Sequence, residues 1–156
     1  MSWSLLAFVG FNFLAALSGA VFGPGDWFRR LEKPSWQPPD WAFPVVWFVL
    51  YLLNAVAGWI IWTEHGDTSA GRFALAVYGG SLVLNAGWSA VFFGLKRVAW
   101  ATFEAVLLWL SVLAQIILFA QLTSLAGLML LPYLAWVTVA VALSAKIWQL
   151  NGPAPA

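Results

Sequence analysis

Five apolar runs, each about as long as a bilayer is thick, leave this chain few ways to fold. They cover approximately residues 3–22, 42–62, 72–93, 98–122 and 125–150. A helix of about 20 mostly apolar residues crosses the hydrocarbon core and satisfies its backbone hydrogen bonds internally. Charged residues make up 8% of the chain, against roughly 25% in soluble domains, so a water-facing surface is missing. The expectation is an all-α integral membrane protein, a bundle of five transmembrane helices forming one domain over 1–156. The first run has no basic segment before it and is too long for a cleaved signal peptide, so it reads as helix one.

Composition narrows function as well. The chain has no cysteine and one histidine, His65, which argues against disulfides, thiolate metal sites, zinc and axial haem ligation. A net charge of +1 gives no reason to expect nucleic acid. Glu104 is the one acidic residue inside a run. By the rise per residue it lies about 10 Å from Arg97, within reach of the interface. No internal repeat is visible, which speaks against a coupled transporter of the inverted-repeat kind. Pro132, one or two turns into the fifth run, is the only proline away from a helix end.

The loop 23–41 is unlike the rest. Pro34, Pro38, Pro39 and Pro44 forbid a helix until the last of them, which suits the first turn of helix two. Trp36, Trp41 and Trp47 are threaded through this stiff stretch. It reads either as a lid over a site or as an interfacial tryptophan belt. Before it, residues 26–32 fit a short interfacial helix with Asp26 as N-cap and Trp27, Phe28 and Leu31 toward lipid. The last residues, 151–156, read as a disordered tail.

Six of the seven basic residues fall in the first loop, the Lys96–Arg97 turn and the C-terminal end. Arg72 is the exception. In a five-helix bundle those three regions share one side. The positive-inside rule then makes the first loop and C-terminus cytoplasmic and the N-terminus extracytoplasmic.

Helical spacing aligns Trp47, Tyr51, Asn54 and Gly58 on helix two, and Tyr78, Ser81, Asn85, Trp88 and Phe92 on helix three. Tyr133, Trp136 and Ala140 follow the same spacing on helix five. Tyr51, Asn85 and Ala140 each lie about 12–15 Å from the loop end of their helices, which places these stripes at similar depth. Aromatic walls with one or two polar groups suit a large, flat, apolar ligand. The same stripes also serve plain helix packing. Two small-residue patterns, Gly19/Gly23 and Ala86/Ala90/Gly94 (with Ala76 and Gly80), allow close helix approach, the second predicting a homodimer through helix three.

Four segments, K-P-S-W-Q-P-P (33–39), W-A-F-P-V-V-W-F-V-L-Y (41–51), L-N-A-G-W-S-A-V-F-F-G (84–94) and L-P-Y-L-A-W-V-T-V-A (131–140), closely resemble the TspO/MBR family. These are the bacterial tryptophan-rich sensory proteins and the mitochondrial translocator protein. The resemblance covers essentially the whole chain. It implies a receptor, sensor or carrier that binds protoporphyrin IX or a related tetrapyrrole between the helices, and in some members sterol or other lipid, with no required cofactor. The pocket positions it implies are Trp27, Phe28, Trp36, Trp47, Tyr51, Asn85, Trp88, Trp136 and Ala140. Trp47 and Trp136 resemble a pair linked to light-dependent porphyrin degradation, so an enzymatic reading stays open, as does transport. Phe28 stands where several relatives have Tyr. The C-terminal L-S-A-K-I-W-Q-L lacks the Tyr–Arg sterol pattern of the animal proteins, a weak pattern in any case.

Overall fold

The computed structural model describes residues 3–152. Helices run α1 Trp3–Val21, α2 Asp26–Arg30, α3 Ala42–His65, α4 Ser69–Ser89, α5 Val98–Leu122, α6 Ser124–Leu128 and α7 Leu131–Asn151. Five stretches, with α6 and α7 counted as one, are long and apolar enough to cross a membrane. Large apolar side chains such as Phe73, Val83 and Leu110 point outward, as lipid-facing surface requires. The protein is an integral, multi-pass, all-α membrane protein.

Boundaries shift from the predicted ones for local reasons. α3 continues three residues to His65 because the Thr63 hydroxyl bonds back to the Trp59 and Ile60 carbonyls, keeping a polar residue helical. α4 starts at Ser69 rather than Arg72 because Thr68 caps it, accepting from the Gly71 N–H at 2.9 Å. The fifth run is broken. α6 ends at Leu128, and Pro132 opens α7 in its first turn, where the missing N–H costs nothing. The short helix α2 is present, yet Gly25 holds its N-cap and Asp26 instead pairs with Arg29 at 2.6 Å. Its apolar face turns inward: Trp27, Phe28 and Leu31 pack on the bundle, not toward lipid. The tail prediction fails at Asn151, which ends α7, while residues 153–156 lie outside the described residues.

α4 does not end as an α-helix. Residues Ala90–Gly94 form a π-helical turn closed by Leu95 N–H to Ala90 C=O at 2.8 Å. Lys96 then adopts φ 57°, and the Arg97 N–H returns to the Val91 carbonyl at 3.1 Å. This is the left-handed stop that glycine usually makes. A π turn carries more residues per turn, so neighbouring side chains diverge less. Phe92 and Phe93 can therefore both face Phe28, with ring centroids 5.9 and 5.3 Å away.

α1 packs on α3 and α4, α4 on α5, and α5 on α7, while α3 and α7 meet only sparsely. The bundle thus has one loose seam. Its interior is tied by polar side chains. Asn12 of α1 donates to the Tyr78 hydroxyl and accepts from Asn54 at 2.8 Å. Asn54 accepts from Gln115 at 2.9 Å, and Gln115 accepts from Ser81 at 2.9 Å. Four transmembrane helices share this chain, each bond contributing about 1 kcal/mol.

The loop end gathers the first loop, the Lys96–Arg97 turn and the end of α7. Glu32 bonds to Asn151 across 119 residues, and Gly94 lies against Phe22. The three basic regions therefore share one end of the bundle, as the sequence predicts. At the other end Thr123 donates to Glu64 at 2.7 Å and contacts His65 at 3.2 Å. His65 serves this inter-helix clasp.

Candidate ligand-binding site

The site residues fall into two aromatic clusters rather than one. α3, α4 and α7 build the first around Asn85. The Tyr51 hydroxyl donates to Asn85 Oδ1 at 2.5 Å, and Asn85 Nδ2 donates to the Tyr133 hydroxyl at 3.0 Å. All three residues are buried. Trp47 stacks on Tyr51 at 5.4 Å and 27°, and meets Tyr133 edge-on at 6.0 Å. Helical spacing explains the stack, since residues four apart lie one above the other. An amide with both a donor and an acceptor is the simplest group that can join two phenols.

The second cluster centres on Phe92. Trp88 stacks on it at 5.1 Å, and Trp27 and Phe28 approach its ring at 6.1 and 5.9 Å. Lys33 Nζ lies 4.6 Å from the Phe28 ring centroid and donates to the Arg29 and Leu31 carbonyls, which folds the loop down. The indole N–H groups of Trp27 and Trp88 are buried without a partner, as is Gln37 Oε1. Two unused donors and an unused acceptor beneath the loop are costly for a finished interior, and useful for holding a ligand's polar groups.

Phe43 joins the clusters. It packs with the Phe92 group and meets Trp136 at 5.5 Å. Trp136 lines a groove of about 420 Å³ at the α3–α7 seam, together with Val45, Val46, Val49, Leu50, Pro132, Ala135 and Val139. Sparse α3–α7 packing is what leaves it open.

Of the nine predicted positions, Trp47, Tyr51 and Asn85 come together, as do Trp27, Phe28 and Trp88. Trp136 borders both groups through Phe43. Trp36 stays half exposed in the loop, and Ala140 lies partly buried one turn beyond Trp136, outside the groove lining. Tyr133 and Phe43 belong with the site although the predicted set omits them. Tyr133 was visible as part of the α7 stripe, and Phe43 sits one turn before Trp47. Glu104 does not reach for the interface. Its carboxylate rests against Gly87 of α4, where a Cβ would collide with Oε1.

The profile of the TspO/MBR family matches residues 4–149. The chain belongs to the TspO/MBR family. Among relatives, Protein CrtK of Rhodobacter capsulatus is 42% identical over 137 residues, covering 88% of this chain and 86% of that one. The tryptophan-rich sensory protein of Cereibacter sphaeroides is 38% identical over 156 residues, covering 99% and 96%. The human translocator protein is 35% identical over 150 residues, covering 95% and 85%. The TspO/MBR match takes in every helix that contributes to the two clusters, so the site is built wholly from the family's shared segment.

Proposed function

We propose that this chain is a membrane receptor or sensor for porphyrins, with protoporphyrin IX or a related tetrapyrrole held beneath the first loop. The observation that carries this reading is the Tyr51–Asn85–Tyr133 triad with Trp47 stacked upon it. It offers flat aromatic walls around one polar anchor, as a flat apolar macrocycle requires. The seam groove at Trp136 supplies apolar room beside it. The unpartnered indole N–H groups of Trp27 and Trp88 suit the carboxylates that such macrocycles carry.

Fluorescence titration with protoporphyrin IX in detergent tests the reading. Trp47→Phe and Trp136→Phe should each weaken binding about fivefold to tenfold. Trp62→Phe, half exposed near the far end of α3, should leave it unchanged. Equal losses at all three would report general destabilisation and end the assignment. Trp109 is a poorer control, because its indole donates to Thr138 at 2.8 Å and ties α5 to α7.

The end bearing the loop and six basic residues faces the cytoplasm in this reading. A reporter inserted near Asp67 should then be extracytoplasmic, and a cytoplasmic signal there would reverse the topology.

A further inference from the structure

We propose that the α4–α5 turn is a binding site for an anionic phospholipid of the leaflet at the loop end. Val91, Leu95, Arg97 and Trp100 line an open groove of about 480 Å³ on the outer face of the bundle. Leu95 and Trp100 are more than half exposed, at 68% and 63%. Apolar walls below and a cation above match a lipid lying with its chain along the helices and its phosphate at the turn. Trp100 stands where an interfacial indole meets the headgroup level.

Charge complementarity fixes the occupant. Lys96 and Arg97 are both exposed, and neither is paired with a carboxylate. Among the described residues the ion pairs are Arg29–Asp26 and His65–Glu64. Two adjacent, unneutralised cations at this turn, with Arg97 itself lining the apolar groove, select a lipid phosphate with a net negative headgroup over a zwitterion.

The backbone adds an independent observation. Two of the groove's walls come from the π-helical end of α4: Val91 lies within the turn Ala90–Gly94 and Leu95 caps it. Lys96 then occupies a left-handed conformation, φ 57°, in which any side chain is strained and glycine is not. Strain held at one residue is characteristic of a functional position. Here the strained residue immediately precedes Arg97, the cation that lines the groove.

Native mass spectrometry of the purified protein, with phosphatidylglycerol or phosphatidylcholine of identical chains, tests the site. Wild type should retain phosphatidylglycerol preferentially, by about fivefold for each of the two cations at low salt. Arg97→Gln should remove about one such factor. Lys96→Gly should do the same while keeping or raising thermal stability, since it relieves the strained backbone. Leu95→Trp, at an exposed wall, fills the groove without changing charge and should lower retention of phosphatidylglycerol. Lys146→Gln removes a cation elsewhere at the same end and should change nothing. Equal retention of the two lipids would overturn the proposal. So would a Lys146→Gln loss equal to that of Arg97→Gln, which would mean diffuse surface charge. Unchanged retention in Leu95→Trp would mean that the groove holds no chain.

Discussion

Asn151, the last residue of α7, clasps the backbone of Glu32 with both halves of its side-chain amide. Its Oδ1 accepts from the Glu32 N–H and its Nδ2 donates to the Glu32 carbonyl, each at 2.9 Å. The amide thereby imitates one rung of a β-ladder and pins the first loop to the end of the bundle. Glu32 lies just after Trp27 and Phe28 and just before Lys33 and the buried Pro34. One half-buried residue at the end of α7 therefore pins the segment that covers the Phe92 cluster.

Breaking that clasp should free the loop without unfolding the helices. Two exposed hydrogen bonds contribute little each, so Asn151→Leu should raise local opening about fivefold to tenfold. Tryptic cleavage after Arg29 and Arg30 reads this directly, since both sites lie just before the clasped Glu32. Asn151→Asp keeps the acceptor and loses the donor, and should fall between the two. If cleavage is no faster in Asn151→Leu, the loop is held by the aromatic contacts of α2 alone.

The clasp also marks a limit of sequence reading. Five apolar runs, their common loop end and the depth of Tyr51 and Asn85 follow from hydropathy and a 1.5 Å rise, because those quantities are local. Asn151 precedes Gly-Pro and reads as tail, and nothing local ties it to residue 32. The inward turn of Trp27 and Phe28 is hidden for the same reason. An aromatic face beside a membrane looks alike whether it meets lipid or protein. The π turn at Ala90–Gly94 has no propensity signature, so the joint access of Phe92 and Phe93 to Phe28 was not legible. Asn12 and Gln115 were legible in principle, as lone amides inside apolar runs that must find partners. The sequence points to nine site positions sharing one cavity, whereas two clusters joined by Phe43 need the packing angle at the α3–α7 seam.

Asn85 carries more of the site than its neighbours. Asn85→Leu deprives both phenols of their partner, and an unsatisfied buried polar group costs about 1–3 kcal/mol. Tyr51→Phe leaves Asn85 Oδ1 unsatisfied but keeps the Nδ2 bond to Tyr133, so it should cost less than Asn85→Leu, which strands both phenols. Unfolding in mixed detergent, followed by far-UV ellipticity, should rank wild type, Tyr51→Phe and Asn85→Leu in that order. A Tyr51→Phe loss as large as that of Asn85→Leu would show that the amide is not the hub.

We expect a homodimer through α4, but along only part of the small-residue row. Gly94 is occupied within the bundle, since a Cβ there would stand 2.9 Å from Phe22. Gly79 and Gly80 face open space, and Ala76 and Val83 beside them are exposed. Close backbone approach is therefore available on the half of α4 away from the loop end. Gly80→Leu should shift dimer to monomer in mild detergent, measured by light scattering. Ala90→Leu should act on the bundle instead and leave association intact. A dimer that survives Gly80→Leu has its interface elsewhere.

Gly58 tests the packing that sets the polar chain in register. A Cβ at this position would come within 2.9 Å of Tyr78 Cε2 and 3.0 Å of the Phe8 ring. Neither ring is free to retreat. Phe8 and Tyr78 pack together at 5.6 Å, Tyr78 stacks on Phe119 at 6.4 Å, and its hydroxyl accepts from Asn12. Gly58→Ala must push one of these rings off its partner, which costs about 1–3 kcal/mol as overpacking. Gly80→Ala adds the same methyl where nothing lies within 4 Å and should cost less than about 0.5 kcal/mol. Adding Tyr78→Leu should not rescue Gly58→Ala fully, because it leaves the Phe8 contact and forfeits both the Asn12–Tyr78 bond and the stack on Phe119. Pairing Gly58→Ala with Phe8→Leu removes the Phe8 contact, gives Tyr78 room to shift and strands nothing, so that double variant should recover part of the loss. A stable Gly58→Ala single variant would mean that α1 and α4 yield around α3, and the close approach of these helices would not be what fixes the Asn12–Asn54 bond.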